Sequence, residues 1–119
     1  MAVHNDLGKH GEQIAIDYLM AKGYQILETN YRFQKAEVDI IAKMEDTLAV
    51  VEVKTRSTKV FGDPHEFLKP KQIERIVTVI DHYIQSKQLD VEVRFDVIAI
   101  VKTNSTTDIQ HLENAYFHF

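Results

Sequence analysis

The strongest strand signals in the sequence are Glu37-Val38-Asp39-Ile40-Ile41-Ala42 and Leu48-Ala49-Val50-Val51-Glu52-Val53-Lys54. Both runs are rich in β-branched residues, which favour strands. The break between them, Met44-Glu45-Asp46-Thr47, is short and polar, so the two strands are predicted to form a hairpin. Because Glu45-Asp46 is not a favoured two-residue turn, a four-residue loop is expected.

Charged residues interrupt these otherwise apolar strands. Glu52 and Lys54 lie two positions apart and therefore project from the same face of their strand, as do Glu37 and Asp39 on theirs. A hairpin with an even loop sets Asp39 directly opposite Glu52, with Cβ atoms about 5 Å apart. The same register sets Glu37 opposite Lys54, and an ion pair between them is favoured over the alternative that Glu37 is a further cation ligand.

Two carboxylates at this distance repel each other, and the pKa of one of them rises unless a cation lies between them. Oxygen ligands suit a hard cation such as Mg²⁺ or Mn²⁺. Lys54, on the same face, can orient an attacking water or stabilise charge that develops on a phosphate. Asp39, Glu52 and Lys54 are therefore candidate catalytic residues for phosphodiester hydrolysis. A cross-strand salt-bridge cluster on an exposed sheet face fits the same spacing.

The rest of the chain predicts two helices and further strands around the hairpin. Apolar residues at three- and four-residue spacing from Leu7 to Leu19 predict an amphipathic helix that ends near Gly23. A second helix is predicted to start at Pro70, after a loop over 57–69. Additional strands are predicted at 24–31, 91–101 and 109–117. The order α-β-β-β-α-β, with a last strand, predicts an α/β fold in which helices flank one mixed sheet.

Length and composition limit the classes of function. A chain of 119 residues is expected to form a single domain, 1–119. The absence of cysteine excludes disulfides, thiolate zinc sites and cysteine nucleophiles. The longest apolar run is five residues, so no membrane span is expected. The first residues do not resemble a signal peptide, and the expected location is therefore the cytoplasm.

The charge balance argues against a protein that holds nucleic acid by its overall charge. Lys and Arg number 14 against 18 Asp and Glu, a formal net charge of -4. Between Lys54 and Arg75, however, basic residues outnumber acidic ones, so a local basic strip is predicted. Arg56 and Lys71 in this strip are candidate phosphate contacts, although ordinary solvent-exposed cations would look the same in the sequence.

Asp39 with Glu52-Val53-Lys54 resembles the core motif of the PD-(D/E)xK nuclease superfamily, with Val38 where the name of the motif has proline. A wider set of stretches, spread over nearly the whole chain, is similar to one bacterial family, the YraN-like proteins. These stretches are Gly8-Lys9-His10-Gly11-Glu12, Ala15, Tyr18-Leu19, Gly23-Tyr24, Ile26-Leu27, Asn30-Tyr31-Arg32, Glu37 to Ala42, Val51 to Arg56, Phe61-Gly62, Lys71, Arg94-Phe95-Asp96-Val97 and Asn114-Ala115-Tyr116.

The resemblance implies a restriction endonuclease-like fold, closest to that of the Holliday-junction resolvases. It implies that Glu12 joins Asp39 and Glu52 at a site for Mg²⁺ or Mn²⁺. The resemblance does not supply a substrate; the expected partner is nucleic acid, with DNA favoured over RNA, and a two-fold homodimer would suit a branched substrate. One departure is Ala36, where the family usually has glycine, and alanine narrows the backbone conformations open to the approach to Asp39.

Three hypotheses follow for the function. The first is a metal-dependent nuclease that hydrolyses phosphodiester bonds. The second is a nucleic-acid-binding module on the same fold that does not cut. The third is a protein-interaction domain whose charged strand face is a salt-bridge cluster. The acidic net charge favours the second hypothesis, and the intact set of charged residues favours the first.

Overall fold

A computed structural model describes residues 3–57 and 69–115, with side chains from residue 7 onward. The described residues form two helices and five strands in the order α-β-β-β-α-β-β. Their bounds are α1 Val3–Ala21, β1 Gln25–Phe33, β2 Ala36–Met44, β3 Thr47–Arg56, α2 Pro70–Lys87, β4 Glu92–Lys102 and β5 Thr107–Leu112.

The five strands form one mixed sheet in the order β1-β2-β3-β4-β5. β1, β2 and β3 pair antiparallel, β3 and β4 pair parallel, and β5 returns antiparallel to β4. α2 provides the crossover that a parallel pair requires. The predicted α/β class and element order are confirmed, and the arrangement is compatible with a restriction endonuclease-like fold.

Each face of the sheet is covered by one helix. α1 packs Ala15 and Leu19 against a face that includes Ile40 and Val51. α2 packs against the opposite face, and this core is built from Val38, Ile41, Val50, Ile76, Val79, Ile80, Tyr83 and Val97, among others. Because both faces are buried, the central strands β3 and β4 read as nearly continuous apolar runs. Neither α1 nor α2, as far as the structure describes them, has the length and apolar character that crossing a membrane requires.

The predicted helix boundaries agree with the structure where glycine and proline marked them. Gly23 has φ +102° and follows the last turn of α1. The amide of Tyr24 donates to the carbonyl of Leu19, and the amide of Gly23 donates to that of Met20, both at 3.0 Å. These two bonds form the Schellman arrangement that a left-handed residue permits. α2 begins at Pro70, as predicted.

The hairpin register is as predicted, but its loop is shorter. Ile40 pairs with Val51 and Met44 pairs with Thr47, so an even loop separates the strands. Only Glu45 and Asp46 form the turn, and the prediction of a four-residue loop is wrong. Glu45 adopts φ +52°, the left-handed conformation that a tight two-residue turn needs.

The last strand lies earlier than predicted. β5 spans Thr107–Leu112 instead of 109–117, and a turn follows at Glu113 and Asn114, where Asn114 has φ 51°. Asn tolerates this left-handed conformation better than most residues, so the strand ends before it. The end of the predicted strand, 116–117, lies outside the described residues. Most of the predicted loop over 57–69 does so too, because positions 58–68 are not described.

Candidate active site at the splayed end of the hairpin

The candidate site lies where β2 and β3 separate. Their registered pairing ends at Ile40 and Val51, one residue before Asp39 and Glu52. Beyond that point the backbone amide of Val53 donates to Oδ2 of Asp39 at 2.8 Å. A side-chain carboxylate thus takes the place of a backbone carbonyl. This bond fixes the Asp39 carboxylate beside β3 at the point where the strands diverge.

Glu52 is the second carboxylate of the site and is 6% exposed. Burial raises the pKa of Glu52 to about 9, together with a hydrogen bond to Asp39 and the negative charge of Asp39. A pKa of about 9 means that the carboxyl group of Glu52 is protonated at neutral pH when no metal is bound. Its O–H group then donates a hydrogen bond to the Asp39 carboxylate. On the other side, Nε2 of Gln72 on α2 donates to Oε2 of Glu52 at 3.4 Å. The predicted proximity of the two carboxylates is present in the structure.

Lys54 completes the catalytic set proposed from the sequence. It lines an open cleft of about 410 Å³ together with Asp39, Glu52 and Arg56. The positive charge of Lys54 opposes the rise in the Glu52 pKa, so the ammonium group is within electrostatic range of that carboxylate. The cleft therefore contains the carboxyl groups of Asp39 and Glu52 and, two residues further along β3 from Glu52, the positive charge of Lys54.

Glu12 reaches the same cleft from α1. Burial raises its pKa, and the negative charges of Asp39 and Glu37 add to that rise. Nδ2 of Asn30 donates to Oε1 of Glu12 at 3.1 Å, which partly opposes the rise. The hydrogen bond from Asn30 on β1 thus holds the Glu12 carboxylate, and Glu12 is close enough to Asp39 for the charge of Asp39 to raise its pKa.

Gly11 sets how closely α1 approaches β3. A Cβ atom at position 11 would lie 1.9 Å from Oγ1 of Thr55, a distance at which no side chain fits. The neighbouring Gly8 has nothing within 4 Å of the corresponding position. Because Glu12 follows Gly11, the contact with Thr55 also determines how far Glu12 extends into the cleft.

The other predicted site residues are placed differently. Glu37 is bound by Arg32, with Nη2 to Oε1 at 3.2 Å, so the predicted ion pair with Lys54 is wrong. Arg32 and Glu37 are registered partners across β1 and β2, which is a closer pairing than the splayed β3 offers. Arg56 lies at the exposed end of β3 in the cleft. Lys71 is exposed on α2 and lines a neighbouring groove.

Two supporting residues were not identified from the sequence. Gln72 on α2 donates a hydrogen bond to Glu52. In the sequence it is one polar residue beside the apolar stripe of a helix, and such a residue does not indicate a contact with a distant strand. Asn30 has φ 51° within β1. Its residue type was a usable signal, because asparagine tolerates left-handed conformations. That conformation lets a strand residue reach Glu12 on the helix.

The donor set suits a hard divalent cation. In the described part of the chain, no three carboxylate, imidazole or thiol groups are placed together as a complete metal cage. Asp39 and Glu52 instead form a pair of oxygen donors within hydrogen-bond distance of each other, and a cation bound between them would take the place of the Glu52 proton. Mg²⁺ commonly binds through one or two carboxylates and leaves its other positions to water and phosphate. The residues present fit such a site.

Comparisons with known proteins identify the family. Residues 11–100 match the model of "Uncharacterised protein family UPF0102". The chain belongs to this family. It is 58% identical to a UPF0102 protein of Christiangramia forsetii and 52% identical to one of Flavobacterium psychrophilum, in both cases over the full length of both chains. A UPF0102 protein of Phocaeicola vulgatus is 41% identical over 98% of this chain and 97% of its own. The family assignment made from the sequence motifs is confirmed.

Proposed function

We propose that this protein is a metal-dependent nuclease that hydrolyses phosphodiester bonds in nucleic acid, with DNA as the substrate. The observation that carries the proposal is the pair Asp39 and Glu52. These carboxylates lie within hydrogen-bond distance of each other, in a cleft that also holds Lys54. A buried carboxyl group whose pKa is strongly raised by burial and by a neighbouring carboxylate, in a cleft, is characteristic of functional sites.

Asp39 and Glu52 would hold Mg²⁺ or Mn²⁺, with Glu12 positioned to assist from α1. When bound, the cation supplies a water of lowered pKa and neutralises negative charge on the phosphate. Glu52 would have to give up its proton to act as a ligand, so metal binding would release a proton from the site. The hydrogen bond from Val53 keeps Asp39 oriented while this exchange takes place.

Lys54 would contribute to the chemical step through its positive charge. In hydrolysis the water oxygen bonds to phosphorus, the bond from phosphorus to the leaving oxygen breaks, and that oxygen gains a proton. Negative charge accumulates on the phosphoryl oxygens during this step, and a nearby ammonium group stabilises it. Lys54 is suitably located, because it shares the cleft with both carboxylates. Arg56, further along β3, would contact an adjacent phosphate.

The test is cleavage of a labelled panel that contains duplex, single-stranded, flapped and four-way-junction DNA, and RNA, with Mg²⁺ or Mn²⁺. Asp39→Asn is expected to abolish cleavage, and Lys54→Met to reduce it by about 100-fold or more, in line with the loss of one charge-stabilising group. Asp46→Asn is the matched control, because Asp46 is exposed in the turn at the other end of the same hairpin. Cleavage that survives Asp39→Asn would rule out this site.

A second candidate is a module that binds nucleic acid on the same fold without cutting it. The net charge of -4 supports this alternative, since general attraction to a polyanion is absent and binding must depend on local cations. Salt-sensitive binding of DNA by a protein that binds Mn²⁺ but cuts no member of the panel would select it over the nuclease.

A further inference from the structure

A groove next to the candidate active site is lined by several basic side chains. It runs between the β1–β2 turn and α2, and its two parts, of about 440 Å³ and 410 Å³, share Lys35, Ala36 and Arg75. Lys69 and Lys71 also line the first part. These four basic side chains are all exposed. In the part of the chain that the structure describes, none of them forms a salt bridge.

One face of α2 forms a wall of this groove. Lys71, Arg75 and Thr78 line it, and His82 follows them beyond its end, against the lining residue Phe33. The four residues recur at spacings of four, three and four and are all exposed. This spacing places them in a single row along the helix. The acidic Glu37 also lines the groove, but its carboxylate is bound by Arg32. The row is therefore positively charged at its first two positions and aromatic at its last.

The groove begins at the candidate active site. Gln72, which lines it, donates a hydrogen bond to Glu52 at 3.4 Å. From Gln72 the helix rises about 15 Å to His82, at 1.5 Å per residue. A chain bound along this wall would thus extend from the catalytic carboxylates to the far end of the row.

An aromatic pair lies at the far end. The ring of exposed His82 is stacked on that of Phe33, with centroids 3.8 Å apart and an interplanar angle of 15°. Phe33 is packed against the hydrophobic core, so it fixes the orientation of the histidine ring. The outer face of His82 is then a flat, oriented surface at the end of a basic groove.

We propose that this groove binds a single-stranded segment of nucleic acid, with its phosphates on Lys35, Lys71 and Arg75 and a base stacked on His82. Cationic grooves that end on aromatic platforms are how proteins hold single strands, because unpaired bases offer a free face for stacking. In a duplex those faces are covered by neighbouring base pairs. The proposal deepens the nuclease assignment by giving its substrate a single-stranded arm, and it rests on that assignment for the use made of the bound strand.

Binding is tested without cleavage, so that the two proposals can fail separately. The Asp39→Asn protein is titrated, in the presence of EDTA, with a labelled oligothymidylate, an abasic strand of equal length, a duplex and an oligouridylate. The single strands are expected to bind more tightly than the duplex, and the oligouridylate shows whether the sugar matters. If the duplex binds as tightly as the oligothymidylate, the single-strand proposal is overturned while the nuclease proposal stands.

Two matched pairs of variants locate the binding. Arg75→Gln and Lys87→Gln each remove one exposed positive charge from α2, but Lys87 lies at its C-terminal end, over the ring of Tyr83. Only Arg75→Gln is expected to weaken binding, by severalfold, and to lower the slope of log K against log salt by about 0.7. Equal effects of the two substitutions would overturn the assignment of phosphates to this groove.

Stacking is tested at the other end of the row. His82→Ala is expected to weaken binding of the oligothymidylate by about fivefold or more, while His82→Phe retains it. The abasic strand should bind equally to all three proteins, because it has no base to stack. If His82→Ala weakens the abasic strand as much as the oligothymidylate, no base lies on His82 and the proposal is wrong.

The two assignments have distinguishable failures. If the variants affect binding as expected but wild type shows no metal-dependent cleavage, the groove is supported as a binding site for single strands and the nuclease proposal is overturned. If wild type cleaves duplex DNA and neither Arg75→Gln nor His82→Ala changes that cleavage, the nuclease proposal is supported and the proposed role of the groove is overturned.

Discussion

The Oδ2 atom of Asp39 accepts a hydrogen bond of 2.8 Å from the backbone amide of Val53. This contact joins β2 to β3 after their registered pairing has ended at Ile40 and Val51. Asp39 therefore has two separable roles in the molecule. It is a proposed cation ligand, which requires negative charge, and it is an acceptor for a partly buried amide, which requires only an oxygen atom.

The two roles predict different results for two substitutions of Asp39. Asp39→Asn keeps an oxygen that can accept from Val53, whereas Asp39→Ala leaves that amide without an acceptor. A buried donor left unsatisfied costs about 1–3 kcal/mol. In metal-free buffer, urea denaturation should show Asp39→Ala to be less stable than Asp39→Asn by about 1 kcal/mol, while neither variant cleaves nucleic acid. Equal stabilities would show that the bond does not contribute to folding.

The pKa of Glu52 predicts how stability depends on pH. Burial and the contact with Asp39 raise that pKa from 4.5 to about 9, so the folded protein binds more protons than the unfolded chain between these values. Stability from this group is therefore complete below the ordinary pKa and is lost as pH rises toward 9. The effect is of the order of a few kcal/mol, since one pKa unit corresponds to about 1.4 kcal/mol.

Glu52→Gln removes the titration and serves as the comparison. The metal-free wild type should lose melting temperature between pH 5 and pH 9 relative to this variant, whose amide can donate to Asp39 at every pH. Scanning calorimetry in EDTA across that range measures the difference. Parallel curves for the two proteins would show that Glu52 is ionised well below pH 9.

A bound cation should stabilise the folded protein. A ligand that binds only the native state contributes about 2.7 kcal/mol at 100 times its dissociation constant. Mn²⁺ is therefore expected to raise the melting temperature of wild type and of Asp46→Asn, and the rise should be larger at pH 8 than at pH 6, because the cation displaces the proton of Glu52. Asp39→Ala and Glu52→Gln should lose most of it. A rise that persists in both variants would place the metal elsewhere.

The two glycines of α1 give opposite predictions. Gly8→Ala adds a methyl group into open space, and alanine is favoured over glycine within a helix by about 0.5–1 kcal/mol. Gly11→Ala places the same methyl group against Thr55, so α1 must shift away from β3 at a cost of about 1–3 kcal/mol. Melting temperature should rise for the first variant and fall for the second.

Activity should separate them further. Gly11→Ala displaces the neighbouring Glu12 and is expected to reduce cleavage even at temperatures where the variant is folded. Gly8→Ala adds a methyl group at the wall of the cleft that contacts no other atom, so it leaves Glu12 in place and should retain cleavage. Combining Gly11→Ala with Thr55→Ala tests the cause, because the second substitution removes Oγ1, the atom closest to the added methyl group, and should restore part of the lost stability and activity. If Gly11→Ala is as active and as stable as wild type, the close approach of α1 to β3 is not required.

The sequence predicted the part of the site that depends on strand periodicity. β-Branched runs located the hairpin, and the even loop placed Asp39 and Glu52 together, because register follows from alternation and turn parity. The sequence did not predict where the pairing of β2 with β3 ends, because that depends on the hydrogen bond between the Asp39 carboxylate and the backbone amide of Val53. The Glu37 ion pair was assigned wrongly for the same reason, because an ideal ladder continues through Lys54 whereas the real strands diverge.

Contacts between elements that are distant in the sequence could not be predicted from the periodicity of apolar residues. Gln72 and Asn30 support the site from α2 and β1, and each depends on how whole elements pack. The two-residue turn at Glu45 was missed because its left-handed conformation is unfavourable for glutamate in isolation, and the pairing of the apolar strands imposes it.

A buried polar cluster on β4 and β5 accounts for another part of the family resemblance. Asp96 is fully buried and accepts bonds from the Arg94 guanidinium at 2.9–3.2 Å, from Nε2 of His111 at 2.8 Å and from the amide of Asn114 at 3.1 Å. The hydroxyl of Tyr18 on α1 lies 3.3 Å from Nδ1 of His111. The cluster thus connects the C-terminal part of the sheet with the first helix.

Burial alone would raise the pKa of the Asp96 carboxyl, but the hydrogen bonds that it accepts, led by that from His111, hold the pKa below its ordinary value. Stability from Asp96 is therefore present above its ordinary pKa of 3.8 and is lost as pH falls below it. Asp96→Ala leaves the partly buried guanidinium of Arg94 and the buried ring of His111 without their acceptor and should cost about 3–5 kcal/mol at neutral pH.

Urea denaturation at pH 7 and pH 3.5 measures both effects, with Asp90→Ala as the control, because Asp90 is an exposed residue shortly before β4. Asp96→Ala should be strongly destabilised at pH 7, and its deficit relative to wild type should shrink at pH 3.5, because below the ordinary pKa the unfolded wild-type chain binds more protons at this position than the folded protein does. Asp90→Ala should match wild type at both values. A deficit for Asp96→Ala below about 1 kcal/mol at pH 7 would mean that the cluster contributes no more than an exposed ion pair.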